Sequence, residues 1–119
     1  MKDLNKNIHS KDPTSVSFPY RGGIHYFTSD QIIRLEADSN YTCIFFNNHR
    51  PILMAKVLRD YQSLLEPFGF IRTHRSHLIN KQHIVGVNIH GDIVMDDKSK
   101  AEISRRKRRD FLSALILSS

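Results

Sequence analysis

The 119-residue chain has a single cysteine, no apolar run near the ~18 residues a membrane span needs, and no apolar stretch at its start. Each lack excludes a class. Cys43 alone cannot close an internal disulfide, and its neighbours Tyr41, Ile44 and Phe45 mark it as a small buried hydrophobe. Residues 1–15, MKDLNKNIHSKDPTS, offer no secretory signal. Together these features are those of a reducing, cytoplasmic setting. There is also no CxxC, no HExxH, no acidic cluster, no Gly-rich phosphate loop and no internal repeat. Most metal and nucleotide chemistries therefore have nothing to anchor them. At 39% hydrophobic residues, the core of this one-domain chain is thin.

What the chain has is positive charge, unevenly placed. The formal net charge is +6, and residues 72–109 hold ten Lys/Arg against four Asp/Glu. The remaining eight basic and eight acidic residues cancel, so the whole surplus lies in one third of the sequence. A surface charged in this lopsided way suits a polyanionic partner.

Hydrophobic patterning gives the fold class. Residues 24–28, 32–37, 41–46 and 51–54 read as short strands separated by Gly, Asp, Ser and Asn turns. Val57, Leu58, Tyr61, Leu64 and Leu65 recur at helical spacing, with Lys56, Arg59, Asp60 and Gln62 on the other face; Pro67 and Gly69 end this helix. Strand pattern resumes at 70–72, 78–79, 84–89 and 93–95, with a last short strand at 101–103. Ser104 is placed as the N-cap of a terminal helix whose apolar face is Phe111, Leu112, Leu115 and Ile116. The expectation is a mainly β fold of compact antiparallel sheets, with one short central helix and a C-terminal helix. Residues 1–19 read as a polar tail or linker and residues 20–119 as the domain.

Enzyme readings find weak footing. His74 and His77 are three residues apart, which on one strand puts them on opposite faces, so a shared zinc ion would need a turn between them. Cys43 lies in an apolar strand where a thiolate is disfavoured. Ser76 beside His74 is not a triad, and a nuclease with His74 as base and Arg75 on phosphate is the best enzymatic alternative. No catalytic residue, metal or cofactor is assigned. Binding fits better. Arg72, His74, Arg75, Ser76, Asn80 and Lys81 gather in ten residues around the apolar Leu78 and Ile79, and all supply donors suited to phosphates or base edges. In the run Arg105-Arg106-Lys107-Arg108-Arg109, five cations repel one another until an anion lies opposite them. A solvated face, or adsorption of the last helix to anionic lipid, is the competing reading of that run. RNA recognition is a further alternative, with Tyr41, Phe45 and Phe70 as stacking platforms if they are exposed.

Four stretches carry a family resemblance: residues 32–42 (IIRLEADSNYT), the helix at 57–65, residues 70–80 (FIRTHRSHLIN) with Ile84 continuing the pattern, and residues 103–106 (ISRR). In order and spacing they resemble the LytTR domain, the DNA-binding output module of bacterial two-component response regulators, over about residues 20–117. The resemblance implies double-stranded DNA, read by loops entering successive major grooves, for sequence-specific transcription regulation. By motif, Arg75 takes the central base-contacting position. Thr42 lies at the tip of a first contacting loop with Asn40 beside it, and Arg105 opens a third region. His74, Ser76, Asn80, Lys81, Arg106 and Lys107 become phosphate contacts or loop supports. The family's action on paired repeats implies promoter direct repeats and a second copy on the same DNA, with no membrane partner. Lys107 replaces the usual aromatic after S-R-R and Glu102 the frequent Pro before V-S-R, which makes the third region more basic. A receiver domain needs roughly another 120 residues. None precedes the module here, so an upstream receiver or sensor is expected outside this chain, either because residues 1–17 are a linker stub or because the regulator is free-standing.

Overall fold

The computed structural model describes residues 14–118. Among the described residues, ten strands and two α-helices follow one another: β1 (Ser15–Tyr20), β2 (Gly23–Thr28), β3 (Ile32–Asp38), β4 (Tyr41–Phe46), β5 (Ile52–Met54), α1 (Leu58–Leu65), β6 (Phe70–His74), β7 (His77–Asn80), β8 (Ile84–Val87), β9 (Ile93–Met95), β10 (Lys100–Ala101) and α2 (Arg105–Ser118). All pairings are antiparallel, in three sheets: β1-β2, a central β5-β4-β3-β7-β6, and β10-β9-β8. The mainly β expectation holds.

The central sheet separates two apolar cores. On one face Ile32, Leu35, Ile44 and Leu78 pack with Val16 and Phe18 of β1 and with Leu58, Tyr61 and Leu65 of α1. On the other, Ile33 and Ile79 pack with Ile93 and Met95 of β9, Ile103, and Phe111 of α2. Neighbouring residues thus serve opposite cores, Ile32 against Ile33 and Leu78 against Ile79. A strand covered on both faces shows a continuous apolar run rather than alternation.

One boundary differs from expectation. Residues 15–19 are not tail but most of β1, with Val16 and Phe18 buried. The period-2 signal Val16-Ser17-Phe18 is short, and Pro13 and Pro19 mask it. The β1–β2 turn is made by Arg21 and Gly22, both at positive φ (52° and 76°), as a two-residue hairpin turn matching the strand twist requires. Residues 1–13 of the expected tail lie outside the described residues.

The two helices behave differently from their sequence pattern at single positions. Leu64 and Val57 of the apolar set around α1 are exposed, as is Ile116 at the end of α2. Phe111 is buried, and Leu112 and Leu115 pack against the second core. The apolar face that a lipid surface would need is thereby largely used inside the protein. No helix among the described residues is long and apolar enough to cross a membrane.

Candidate nucleic-acid interface

The stretch 70–80 is a hairpin. β6 and β7 pair with Phe70 opposite Asn80 and His74 opposite His77, leaving Arg75 and Ser76 as the turn. Neither turn residue has a positive φ, so this is not the usual primed turn of a two-residue hairpin. Side chains hold it instead. Arg72 donates to the His74 carbonyl from Nε (2.9 Å), to the Arg75 carbonyl from Nη2 (2.5 Å) and to Gln62 Oε1 from Nη1 (2.9 Å). The Ser76 amide donates to His74 Nδ1 (3.1 Å), and the Ala37 amide donates to the Ser76 carbonyl (2.9 Å). The backbone is fixed on every side while the Arg75 side chain projects, exposed and without a hydrogen bond or ion pair among the described residues. A rigid backbone bearing a free guanidinium is what groove recognition asks of a loop.

Two concavities meet at this turn. Arg72, His74, Arg75, Ser104, Arg106 and Lys107 line one, and the other is lined in part by Ser39 from the β3–β4 turn, Arg59 and Gln62 from α1, and again Arg72 and Arg75. Neither has an acidic lining residue. Burial and the nearby Arg59 lower the Arg72 pKa, and burial, then Arg72 and Arg106, lower that of Lys107. Burial is the larger cause of both shifts; the neighbouring cations add to it, and a bound anion relieves that part. Lys107 Nζ donates to the Arg72 carbonyl (3.1 Å), and two further hydrogen bonds fasten the helix start to β6: the Thr73 side-chain Oγ1 donates to the Glu102 carbonyl (2.9 Å) and the Ser104 amide to the Thr73 carbonyl (2.8 Å). Of these groups, Arg59 was missed in the sequence, where it reads only as part of a helix's polar face.

The other sequence-selected residues divide. Asn40 and Arg105 are exposed, Asn40 beside Ser39, which sits at φ 56° in its turn. Thr42 is not at a loop tip. It is fully buried in β4, donating from Oγ1 to the Lys56 carbonyl (2.7 Å). Asn80 is also buried. Its Nδ2 donates to the carbonyls of Ser29 (3.1 Å) and Ile32 (2.9 Å), and its Oδ1 accepts from the Gln82 amide (3.0 Å), so no hydrogen-bonding group is left for DNA. Lys81 is exposed but follows β7 at the end away from Arg75, roughly 13 Å along the strand. Ser104 does not cap α2 with its side chain: its carbonyl accepts from the Lys107 amide (3.1 Å), but its buried Oγ has no partner among the described residues. Arg108 lies over the β8–β9 turn, where a Cβ added at Gly91 would meet its guanidinium at 2.9 Å.

The platforms that RNA stacking would need are largely absent. Phe70 is buried, and Phe45 is covered by the Arg34 guanidinium 4.0 Å from its ring, which leaves Tyr41 exposed. The objection to a shared His74–His77 site, by contrast, is overturned. The turn between them makes them cross-strand partners on one face, and His74, His77 and Glu102 place ligand atoms within 4.8 Å of one another.

Comparison with known proteins decides the family. The LytTr DNA-binding domain model matches residues 22–116. The chain belongs to that family. It is similar to the transcriptional regulatory protein LytR of Staphylococcus aureus: 26% identical over 121 residues in strain bovine RF122 / ET3-1, covering 98% of this chain and 47% of LytR, and 27% identical over 119 residues in strain N315, covering 97% and 46%. This LytTr chain thus spans about half the length of those relatives. Its fold is also that of a LytTr DNA-binding domain from Bacillus cereus, with a TM-score of 0.70 at 23% identity over 86% of this chain and 96% of the other. LytTr domains are DNA-binding modules, a non-enzymatic kind of protein.

Proposed function

We propose that this LytTr domain binds double-stranded DNA in a sequence-specific manner as part of a transcription regulator, with Arg75 reading a base edge. The observation that carries the reading is the rigidly held β6–β7 turn, whose free guanidinium stands where two cation-lined concavities without acidic residues meet. Asn40 and the β3–β4 turn lie to one side, and Arg105, Arg106 and Lys107 lie to the other. At the helix start, the exposed Arg105 and Arg106 add donors for a phosphate. His74 and Arg72 act as supports of the turn, and Thr42 and Asn80 as supports of the sheet behind it. The 53 Å long dimension of the molecule exceeds one turn of DNA, about 34 Å, which suits contacts in successive major grooves.

Selection of bound sites from random duplex DNA tests the reading. A reproducible consensus, retained against excess RNA in a gel shift, is expected. Enrichment of no sequence, or displacement by RNA, would reject it, and cleavage of labelled DNA on adding Mg2+ would favour the nuclease alternative.

A further inference from the structure

His77 presents a problem that the DNA interface does not solve. Its side chain is only 8% exposed, its Nδ1 is buried without a partner among the described residues, and Nε2 faces Glu102 Oε1 at 3.9 Å, too far for a hydrogen bond, with Glu36, Arg34 and His74 also close by. The lone pair of Nε2, the nitrogen that faces Glu102, is therefore open to a ligand, while the buried Nδ1 carries the proton. The surroundings supply the rest of a coordination shell. The hairpin sets the His74 ring 5.7 Å from that of His77, centroid to centroid, and His74 Nε2 lies 3.8 Å from the same Glu102 oxygen. Glu102 is not there by chance of rotamer alone, because the main chain is pinned before it by the Ala101–Ile93 pairing and after it by the two hydrogen bonds with Thr73.

We propose that His74, His77 and Glu102 form a binding site for a divalent transition-metal ion of the zinc class. Two imidazoles and one carboxylate are the donor set that suits zinc, cobalt or nickel, and three protein ligands leave a fourth position for water. A tetrahedral zinc ion with bonds near 2.0–2.1 Å needs its ligand atoms about 3.4 Å apart. The histidine–carboxylate distances must therefore close by about half an ångström, a movement open to Glu102 with 65% of its side chain exposed, and the two imidazoles, within 4.8 Å of each other, must close by up to about 1.4 Å. Burial pushes the His77 pKa down, which keeps the imidazole in the neutral, ligating form near pH 7.

Binding would also leave a mark on the turn. Because His74 Nδ1 accepts from the Ser76 amide, the proton of the neutral ring sits on Nε2, the nitrogen that faces Glu102. A metal ion at Nε2 shifts that proton to Nδ1, and the Ser76 amide loses its acceptor. The ion would thus neutralise Glu102 and alter the turn that carries Arg75.

The test uses the 119-residue chain without DNA, so its result is independent of the DNA-binding reading. Zinc titration by calorimetry is expected to give one ion per chain. Cobalt should give the visible bands of a tetrahedral site, and amide NMR a large shift at Ser76. Glu102→Gln, at an exposed position, and His74→Gln should each weaken binding about tenfold or more. His83→Gln, which removes the separate His83–Asp96 pair, should leave it unchanged. No zinc binding at millimolar concentration, binding as tight as the parent's in Glu102→Gln and His74→Gln, or loss of binding in His83→Gln would overturn the site.

Discussion

Residues 72–76 and residues 77–80 look alike on paper, since each mixes histidine with other polar side chains, yet the protein treats them in opposite ways. In the first stretch, Arg75 is exposed, and Arg72 Nε and Nη2 and His74 Nδ1 are spent on holding its backbone. In the second, His77, Leu78, Ile79 and Asn80 are all buried, and Asn80 is enclosed by three hydrogen bonds to main-chain groups of other segments. The difference lies in what flanks each stretch. β7 is an inner strand, covered on both faces, whereas the turn stands beyond the sheet. Polarity in a motif therefore does not mark an interface until its place in the sheet is known.

The contrast can be broken most sharply at Asn80. Asn80→Ala removes a donor from two carbonyls and an acceptor from one amide, and should cost ~2–4 kcal/mol of stability by urea denaturation. The DNA affinity of the molecules that remain folded should be unchanged; a specific loss of affinity would place Asn80 back at the interface. Arg75→Ala should do the reverse, costing about 1–3 kcal/mol of binding and relaxing preference at one base position, with stability within about 0.5 kcal/mol of the parent. Next comes Arg106→Ala. It should weaken all DNA sequences about equally and reduce the slope of log affinity against log salt by about 1, and a selective loss instead would make Arg106 a base reader.

The smallest effect is expected just beyond β7. Burial alone would lower the His83 pKa, but hydrogen bonds from its two ring nitrogens to Asp96 Oδ2 and the Asp30 carbonyl, both 2.6 Å, outweigh burial and raise it above 6.5. Both nitrogens donate at once only in the charged ring. The stabilisation is therefore complete below pH 6.5 and fades as pH rises through the raised value. The stability difference between the parent and His83→Gln should shrink over that range, measured as urea midpoints at each pH; a difference that grows with pH would contradict the assignment.

The sequence made most of the architecture legible because local signals agreed. The helical spacing around Leu58, Tyr61 and Leu65 located α1, and polar turns located the β3–β4 and β8–β9 hairpins. β1 escaped because two prolines and three alternating residues make a faint pattern. The β6–β7 turn escaped as a turn because Arg75-Ser76 has no Gly, Asn or Pro, its geometry being supplied by Arg72 from three residues earlier. Of the residues selected from the sequence, Arg75, Arg105 and Arg106 are exposed and stay in the proposed interface. Thr42 and Asn80 were misplaced because a small polar side chain looks the same whether it faces a phosphate or a buried carbonyl. Glu102 could not be joined to His74 and His77 by any spacing rule, since that proximity depends on β8, β9 and β10 folding back between them.

That folding back has a kinetic side. The link from Thr73 to the Glu102 carbonyl spans 29 residues of sequence, and the loop it closes contains β7 through β10. Bringing such distant segments together is an entropic cost met only once the intervening strands have docked. A partly folded chain that has formed the β6–β7 hairpin would display Arg75 but lack the basic helix start beside it. On the proposed reading, the two halves of the basic surface would then come together only late in folding.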